Sequence, residues 1–369
     1  MKKRTGKIFA LLLSLTMAAG MLAGCGSDKT ESTDAAAQTE AAQEGKKTFV
    51  FGDTTFNAEN EESNINPHSA YCGWACIRYG VGETLMKIND SMELEPWIAE
   101  EYELVDNLTW KITLKDGVCF SNGKPCDAEA VKKCLEDLVA VHERAAGDLK
   151  ISNIEADGQI LTIITSEPVP ALMNYLSDPY GCIIDMEAGI TDDGNVSGTG
   201  PYMATELETD KGLTLVKNEN YWNADKVTLN SLKFVLMEDS NAAYSAYQTG
   251  EVQMIKDIPT EEIPSLQDSP DYHLDPRLAT SYTIFNTQKA PFDNAKVRMA
   301  LSLAVDREYV ANTLMIGTVA PATNFVGPGI SDVEAGSSFE EVTRANNGGD
   351  FFNVSDYEAD LAKAKELLA

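Results

Sequence analysis

The chain has 369 residues, with 29 Lys and Arg against 58 Asp and Glu, and its formal charge of −29 argues against a nucleic-acid binder. Hydrophobic residues make up 43 % and aromatics 8 %, enough apolar material for large cores, and at this length two or more domains are expected. Seven cysteines without a CxxC pair, and three distant histidines (His68, His142 and His273), signal neither a zinc ribbon nor a redox dithiol.

The chain opens on a basic segment, Lys2, Lys3, Arg4 and Lys7, followed by an apolar run from Ile8 to Ala23. That run is too short and too early for a spanning helix and reads as a secretory signal peptide over residues 1–24. It ends Leu22-Ala23-Gly24-Cys25, which resembles the bacterial lipobox, so Cys25 is the expected lipidation site and first mature residue. An ordinary signal peptide with an incidental cysteine is the alternative. Gly26 to Lys47 contains no aromatic, Leu, Ile, Val or Met, so it cannot bury enough surface to order itself. Residues 25–47 are thus expected to form a lipidated tether, with the flexible part spanning roughly 25 Å by random-coil scaling. The acidic body is repelled by anionic headgroups, which leaves anchoring to the lipid.

Order is expected from Thr48 to Phe51 as a strand, then a turn at Asn66-Pro67-His68. Trp74, Ile77 and Val81 recur at helical spacing, and Glu83 to Lys87 reads as extended. Glu101 to Val105 and Thr109 to Lys115 flank an Asp106-Asn107 turn; the alternation of Trp110, Ile112 and Leu114 marks a half-buried antiparallel pair. Asp127 is placed to cap a helix whose apolar stripe is Val131, Cys134, Leu135, Leu138 and Val139, pointing Cys134 at the core. Residues 151–156 and 159–165 bracket Asp157-Gly158, a tight hairpin turn, so 101–165 reads as one α+β unit. Beyond Gly198 come strands at Leu213–Lys217 and Leu229–Met237, a helix over Ser240–Thr249 stopped by Gly250, and a strand over Glu251–Ile255. Tyr282 to Asn286 is expected to be extended, Asp293 or Asn294 to cap a helix carrying Val297, Ala300, Leu301, Ala304 and Val305, and 336–350 to be loop. A last helix from Asp356 to Ala369 carries Leu361, Lys365 and Leu368.

No G-x-S-x-G, H-E-x-x-H or Walker lysine loop is present, so hydrolase, metalloprotease and NTPase readings lack local support. Gly198-Thr199-Gly200 is better read as a turn than as a phosphate cradle, because Pro201 and a strand follow it. Cys72 and Cys76 share a helical face, yet nothing nearby completes a metal site, which favours small buried hydrophobes. Asp192-Asp193-Gly194-Asn195 misses the calcium-loop spacing and reads as a solvated turn. Tyr71 and Trp74 follow a turn amid small residues, and Arg144 lies past the end of the Asp127 helix stripe; such residues either line a ligand cleft or are, respectively, core aromatics and a solvated cation. Neither metal nor cofactor is expected.

Several segments in order resemble the extracytoplasmic solute-binding proteins of ABC importers, family 5, the oligopeptide, dipeptide and nickel-binding class. They are Pro96 to Glu100 with Leu108 to Pro125, Gly198 to Tyr202, Asn218 to Trp222, Phe285 to Thr287 with Pro291 to Asp293, Val297 to Leu301, and Ala362 to Leu368. The resemblance implies a two-lobed periplasmic-binding-protein-like α/β (mixed α+β) fold that binds ligand in the interlobe cleft and performs no chemistry. It also implies the domain order: 48–85 first segment of domain I, 86–197 inserted domain II, 198–275 second segment of domain I, and 276–369 the beginning of domain III. On this reading the protein is a lipid-anchored, extracytoplasmic receptor for di- or oligopeptides that docks on permease subunits driven by separate ATPase subunits. The alternative within the family is a nickel–chelator receptor, in whose relatives an Arg at the position of Arg144 grips the chelator's carboxylate; Tyr71 and Trp74 would line the same cleft. A secreted enzyme or adhesin is a remote alternative from outside the family. Cys119, Cys126 and Cys182 are unusual for the family. The chain stops within the third lobe, before the segment that in peptide-binding relatives supplies an acidic partner for the peptide's ammonium. It is therefore expected to be a fragment that cannot close on ligand or bind peptide measurably as given.

Overall fold

The computed structural model describes residues 48–54, 63–275, 277–323, 326–327, 330–332, 336–347 and 356–369. The expected signal peptide, Cys25 and the expected tether lie outside the described residues. Strand β1 (Thr48–Asp53) is followed, past residue 62, by helix α1 (Cys72–Arg78) and a short hairpin of β2 (Met86–Ile88) and β3 (Leu94–Pro96). The expected helix carried Val81, but α1 stops at Arg78. The chain reverses at Gly80, whose φ of 69° lies in the left-handed region, and the N–H groups of Val81 and Gly82 both return to the Cys76 carbonyl. Val81 is buried all the same, as a loop residue.

Four antiparallel strands follow in the order β4-β5-β7-β6: β4 (Ala99–Asp106), β5 (Thr109–Leu114), β6 (Ile151–Asp157) and β7 (Ile160–Thr165). The alternation in β5 sends Trp110, Ile112 and Leu114 inward, and Gly158 closes the β6–β7 hairpin at φ 61°. Between β5 and β6 lie α2 (Ala128–Val141) and α3 (Glu143–Leu149). Asp127 caps α2, its carboxylate accepting the Ala130 N–H at 2.9 Å. The stripe it starts, Val131, Cys134, Leu135 and Leu138, packs over β6 and β7 and is completely buried. Each of the large apolar side chains there contributes about 1.5–3 kcal/mol by burial.

After α4 (Leu172–Tyr175) and a 3-10 turn at Pro179–Gly181, the chain builds a second sheet. Its order is β11-β1-β10-β9-β8, with β8 (Tyr202–Glu208), β9 (Gly212–Lys217), β10 (Ser231–Leu236) and β11 (Met254–Ile255). β1 runs parallel to β10 and β11, while β8, β9 and β10 are antiparallel. In register, Phe51 faces Phe234, and Tyr79 packs on Phe234 at 4.4 Å while donating its hydroxyl to Asp53. The first strand thus joins strands from residues 202–255, whereas residues 99–165 close a sheet of their own. One continuous core, from Ile65 to Leu215, underlies both sheets. Helix α5 (Ser240–Thr249) ends at Gly250, in the left-handed conformation expected of its cap.

From Tyr272 to Ala290 no regular element forms among the described residues, so Tyr282 to Asn286, expected to be extended, pairs with no strand. After α6 (Ile263–Leu266) come α7 (Ala295–Leu303), capped by Asn294, and the single turn α8 (Arg307–Tyr309). Where loop was expected, α9 spans Phe339–Asn347, and α10 (Tyr357–Leu368) packs on α7. Their shared core is small: Ala300, Leu303 and Ala364, with Leu367 half-buried, while Leu368 is exposed.

Candidate ligand-binding site

Helix α1 is two-faced. Cys72, Ala75 and Cys76 turn inward, while Tyr71, just before the helix, and Trp74 in its first turn stand 48 and 46 % exposed. Large half-exposed aromatics three apart on one face are a binding surface in waiting. His142 brings α3 beside them. As the α3 N-cap it accepts the Ala145 N–H on Nδ1 at 3.1 Å and donates from Nε2 to the Ala70 carbonyl at 3.0 Å. Those two bonds fix the neutral tautomer and tie the start of α3 to the residue preceding Tyr71.

An open concavity of about 200 Å³ lies between these elements, with His68, Tyr71, Trp74, His142, Arg144 and Tyr180 among its lining residues. All three residues singled out from the sequence, Tyr71, Trp74 and Arg144, line it. Arg144 Nη2 donates to Asp178 Oδ2, and its Nε lies 3.4 Å from Asp148 Oδ2. The guanidinium is stacked 5.2 Å above the Tyr180 ring. Burial works against the Arg144 cation, but Asp178 outweighs it and raises the pKa, so the charge is permanent. Among the described residues no acceptor is seen for its Nη1, on a side chain that lines the concavity.

Sequence reasoning missed His68, His142, Asp148, Asp178 and Tyr180. Asp178-Pro179 carried a legible signal, a capping acid before a proline at the first position of a turn, and Asp178 does cap the Tyr180 N–H. The others carried none, because their roles depend on which loops meet.

His68 donates from Nδ1 to Asp137 at 2.7 Å, and its Nε2 lies 3.5 Å from Cys134 Sγ. The connectivity is that of a Cys-His-Asp nucleophile, but the chemistry is not. Burial pushes the Cys134 thiol up to about 12 and lowers the His68 pKa, so both stay neutral and Cys134 cannot be reached from solvent. Among the described residues no group of three or more His, Cys, Asp or Glu is arranged to hold a metal, and no helix is long and apolar enough to cross a membrane. Asp193 accepts from Thr191 and from the Asn195 N–H, so the 192–195 acids close a turn.

Two of the family-like segments, Gly198–Tyr202 and Asn218–Trp222, converge on the stretch Gly80–Thr84. Gly198 and Gly200 lie so close that a Cβ would fall 2.1 Å from the Val81 oxygen and 2.3 Å from that of Gly80, which explains a turn of small residues rather than a phosphate cradle. Asn218 donates to the Gly200 carbonyl at 2.8 Å. Tyr221 and Trp222 both donate to buried Glu83, at 2.8 and 2.9 Å.

The model of bacterial extracellular solute-binding proteins, family 5 middle, matches residues 93–369. The chain belongs to that family, a family of binding proteins and not of enzymes. Among curated relatives, the nickel-binding protein NikA of Staphylococcus aureus is 28 % identical over 67 % of this chain and 50 % of its own length. The dipeptide-binding protein DppE of Bacillus subtilis is 24 % identical over 99 % of this chain and 69 % of its own. Among solved structures, a nickel ABC transporter protein of Bacillus halodurans is 29 % identical with a TM-score of 0.62, covering 77 % of this chain and 58 % of that one. The Escherichia coli murein tripeptide binding protein MppA shares the fold at a TM-score of 0.69, with 24 % identity over 88 % of this chain and 66 % of its own. The chain spans about half the length of most of the curated relatives it matches.

Proposed function

We propose that this chain is the capturing part of a lipid-anchored receptor for di- and oligopeptides that serves an ABC importer. The observation that carries this reading is the convergence of Tyr71, Trp74 and Arg144, from two helices, on one concavity. The aromatic pair offers apolar contact to side chains, and Arg144 Nη1 offers a charge-assisted N–H contact to a terminal carboxylate. Cys25 is the proposed anchor and 26–47 the leash. In the proposed layout, 48–85 and 198–275 form one domain, 86–197 an inserted second and 276–369 the start of a third; the sheet shared by β1 and β8–β11 supports the first of these.

A nickel–chelator ligand is the second reading, favoured by the nickel-binding relatives and by the same Arg144, since chelators carry carboxylates too. Native mass spectrometry of the full-length receptor, purified without refolding, tests both. The expected result is a heterogeneous added mass in the peptide range that is released on denaturation. A nickel isotope pattern in the added mass moves the reading to the second, and titration calorimetry showing no binding of either class overturns both.

A further inference from the structure

Six cysteines are described, all as thiols, and two of them face each other across a glycine. Helix α1 rests directly on the 3-10 turn Pro179–Gly181. At Gly73 a Cβ would fall 2.4 Å from the Pro179 oxygen, so only glycine permits that approach. Three residues on from Gly73, on the same helical face, is Cys76; three residues on from Pro179 is Cys182. The close contact is therefore repeated one turn later as a cysteine against a cysteine. Gly82 lies between them, where a Cβ would meet Cys76 Sγ at 2.7 Å, Cys182 Cβ at 2.9 Å and Cys182 Sγ at 3.3 Å. The absence of a side chain at Gly82 thus leaves both sulfurs bordering one space beside its backbone. Cys134, the third thiol nearby, is otherwise engaged with His68, the Cys182 carbonyl and the Ile184 N–H.

We propose that Cys76 and Cys182 form a disulfide in the exported protein. The family's extracellular setting permits it. The oxidant is a carrier disulfide, of a protein or a small molecule. One cysteine thiolate attacks it, forming a mixed disulfide and releasing one carrier thiol. The second thiolate then attacks the sulfur of the first, closing the Cys76–Cys182 bond and releasing the other carrier thiol. Two protons and two electrons leave the protein, and the carrier disulfide becomes a dithiol. Both residues are fully buried, so the exchange precedes closure of the core. Once formed, the bond is shielded from reductant. It closes a loop of roughly a hundred residues, a length at which a cross-link removes much unfolded-state entropy.

The test uses the full chain exported through a compartment with active disulfide exchange, denatured in alkylating agent without reductant and mapped by mass spectrometry. The expected product is two hydrogens lighter than the reduced chain, with one linked peptide pair containing Cys76 and Cys182. Reductant is expected to open it in denaturant but not in the native protein, and the reduced protein to melt roughly 5 °C or more lower. Cys76→Ser and Cys182→Ser should each melt like the reduced protein and no longer respond to reductant, whereas Cys126→Ser keeps the response. Complete alkylation of every cysteine thiol before reduction, or a link joining any other pair, overturns the proposal. The mapping needs no variant, so it decides the matter even where a serine substitution fails to fold.

Discussion

Arg144 is a surface cation held in place rather than one holding the fold together. Its pairs with Asp178 and Asp148 are part-exposed, and such pairs contribute little to stability, typically up to about 1 kcal/mol. What they do is fix the direction in which the remaining N–H groups point. Arg144→Ala is therefore expected to weaken binding of whichever ligand class the full-length receptor carries by about 1.5–3 kcal/mol, the range for a hydrogen bond to a charged group, with little change in Tm. Calorimetry and a melt on the same sample check it; unchanged affinity would return Arg144 to a merely solvated role. Glu83 is the opposite case, fully buried beneath Tyr221 and Trp222. Burial raises its pKa above the ordinary 4.5, against the hydrogen bonds that oppose the rise. The folded state then holds this proton more tightly than the unfolded chain. Its stabilising contribution is complete below the ordinary carboxylate range and is lost as pH climbs through the raised native value. Glu83→Gln does not titrate, so its Tm relative to the native protein is expected to improve as pH rises from about 4.5 towards neutrality. Melts over that range that stay a constant distance apart would show that Glu83 titrates as it does when unfolded.

At the scale of elements, caps and turns decided where helices begin. Asp127 did what its position before an apolar stripe implied, and Asp127→Ala is expected to cost about 1 kcal/mol, measurable by urea unfolding. Helix α9 was legible but overlooked. Ser338 and Glu341 form a reciprocal capping box, Ser338 Oγ accepting the Glu341 N–H at 3.2 Å and the Glu341 carboxylate accepting the Ser338 N–H at 3.0 Å. The glycines and asparagines around that S-x-x-E pattern gave the segment a loop's composition. The end of α1 carried a weaker signal. Val81 continues the helical spacing of Trp74 and Ile77, yet Trp74 stands exposed, and it is the reversal at Gly80 that takes Val81 into the core.

For the whole molecule, burial is distributed unevenly. One continuous core serves residues 65–215, whereas α7 and α10 share only Ala300, Leu303 and Ala364 with half-buried Leu367. Tyr282, Ile284, Tyr309 and Leu314 stand exposed between or beside these elements. Local opening free energy follows buried apolar contact, so amide exchange in 295–314 and 357–368 is expected to be far faster than in 109–114 and 160–165. Equal protection, by exchange mass spectrometry of this chain, would mean that the second core is more cooperative than its size implies. The proposed tether belongs to this scale too: Cys25→Ser is expected to move the protein from the membrane to the soluble fraction without altering its far-UV spectrum. A salt-washed membrane fraction that still holds the variant would show that lipid is not the anchor.

Periodicity and capping residues by themselves determined most of the local structure: the alternation in β5, the stripe of α2, the 157–158 hairpin and the Gly250 stop. Each is decided by neighbours within a few residues, and the ordered run of family-like segments went with them. Of the three candidate site residues, Arg144 stands out for falling outside the stripe of its helix, and Tyr71 and Trp74 as large aromatics amid small residues after a turn. Only the tertiary structure could bring Arg144 beside Tyr71 and Trp74, because that juxtaposition hangs on the His142–Ala70 hydrogen bond and on α1 resting against Pro179 through Gly73. The pairing of β1 with β10, the burial of Glu83 under Tyr221 and Trp222, and the approach of Cys76 to Cys182 are likewise contacts between distant stretches of chain. Spacing in a sequence encodes which face a residue takes on its own element, and nothing in it states which other face it will meet.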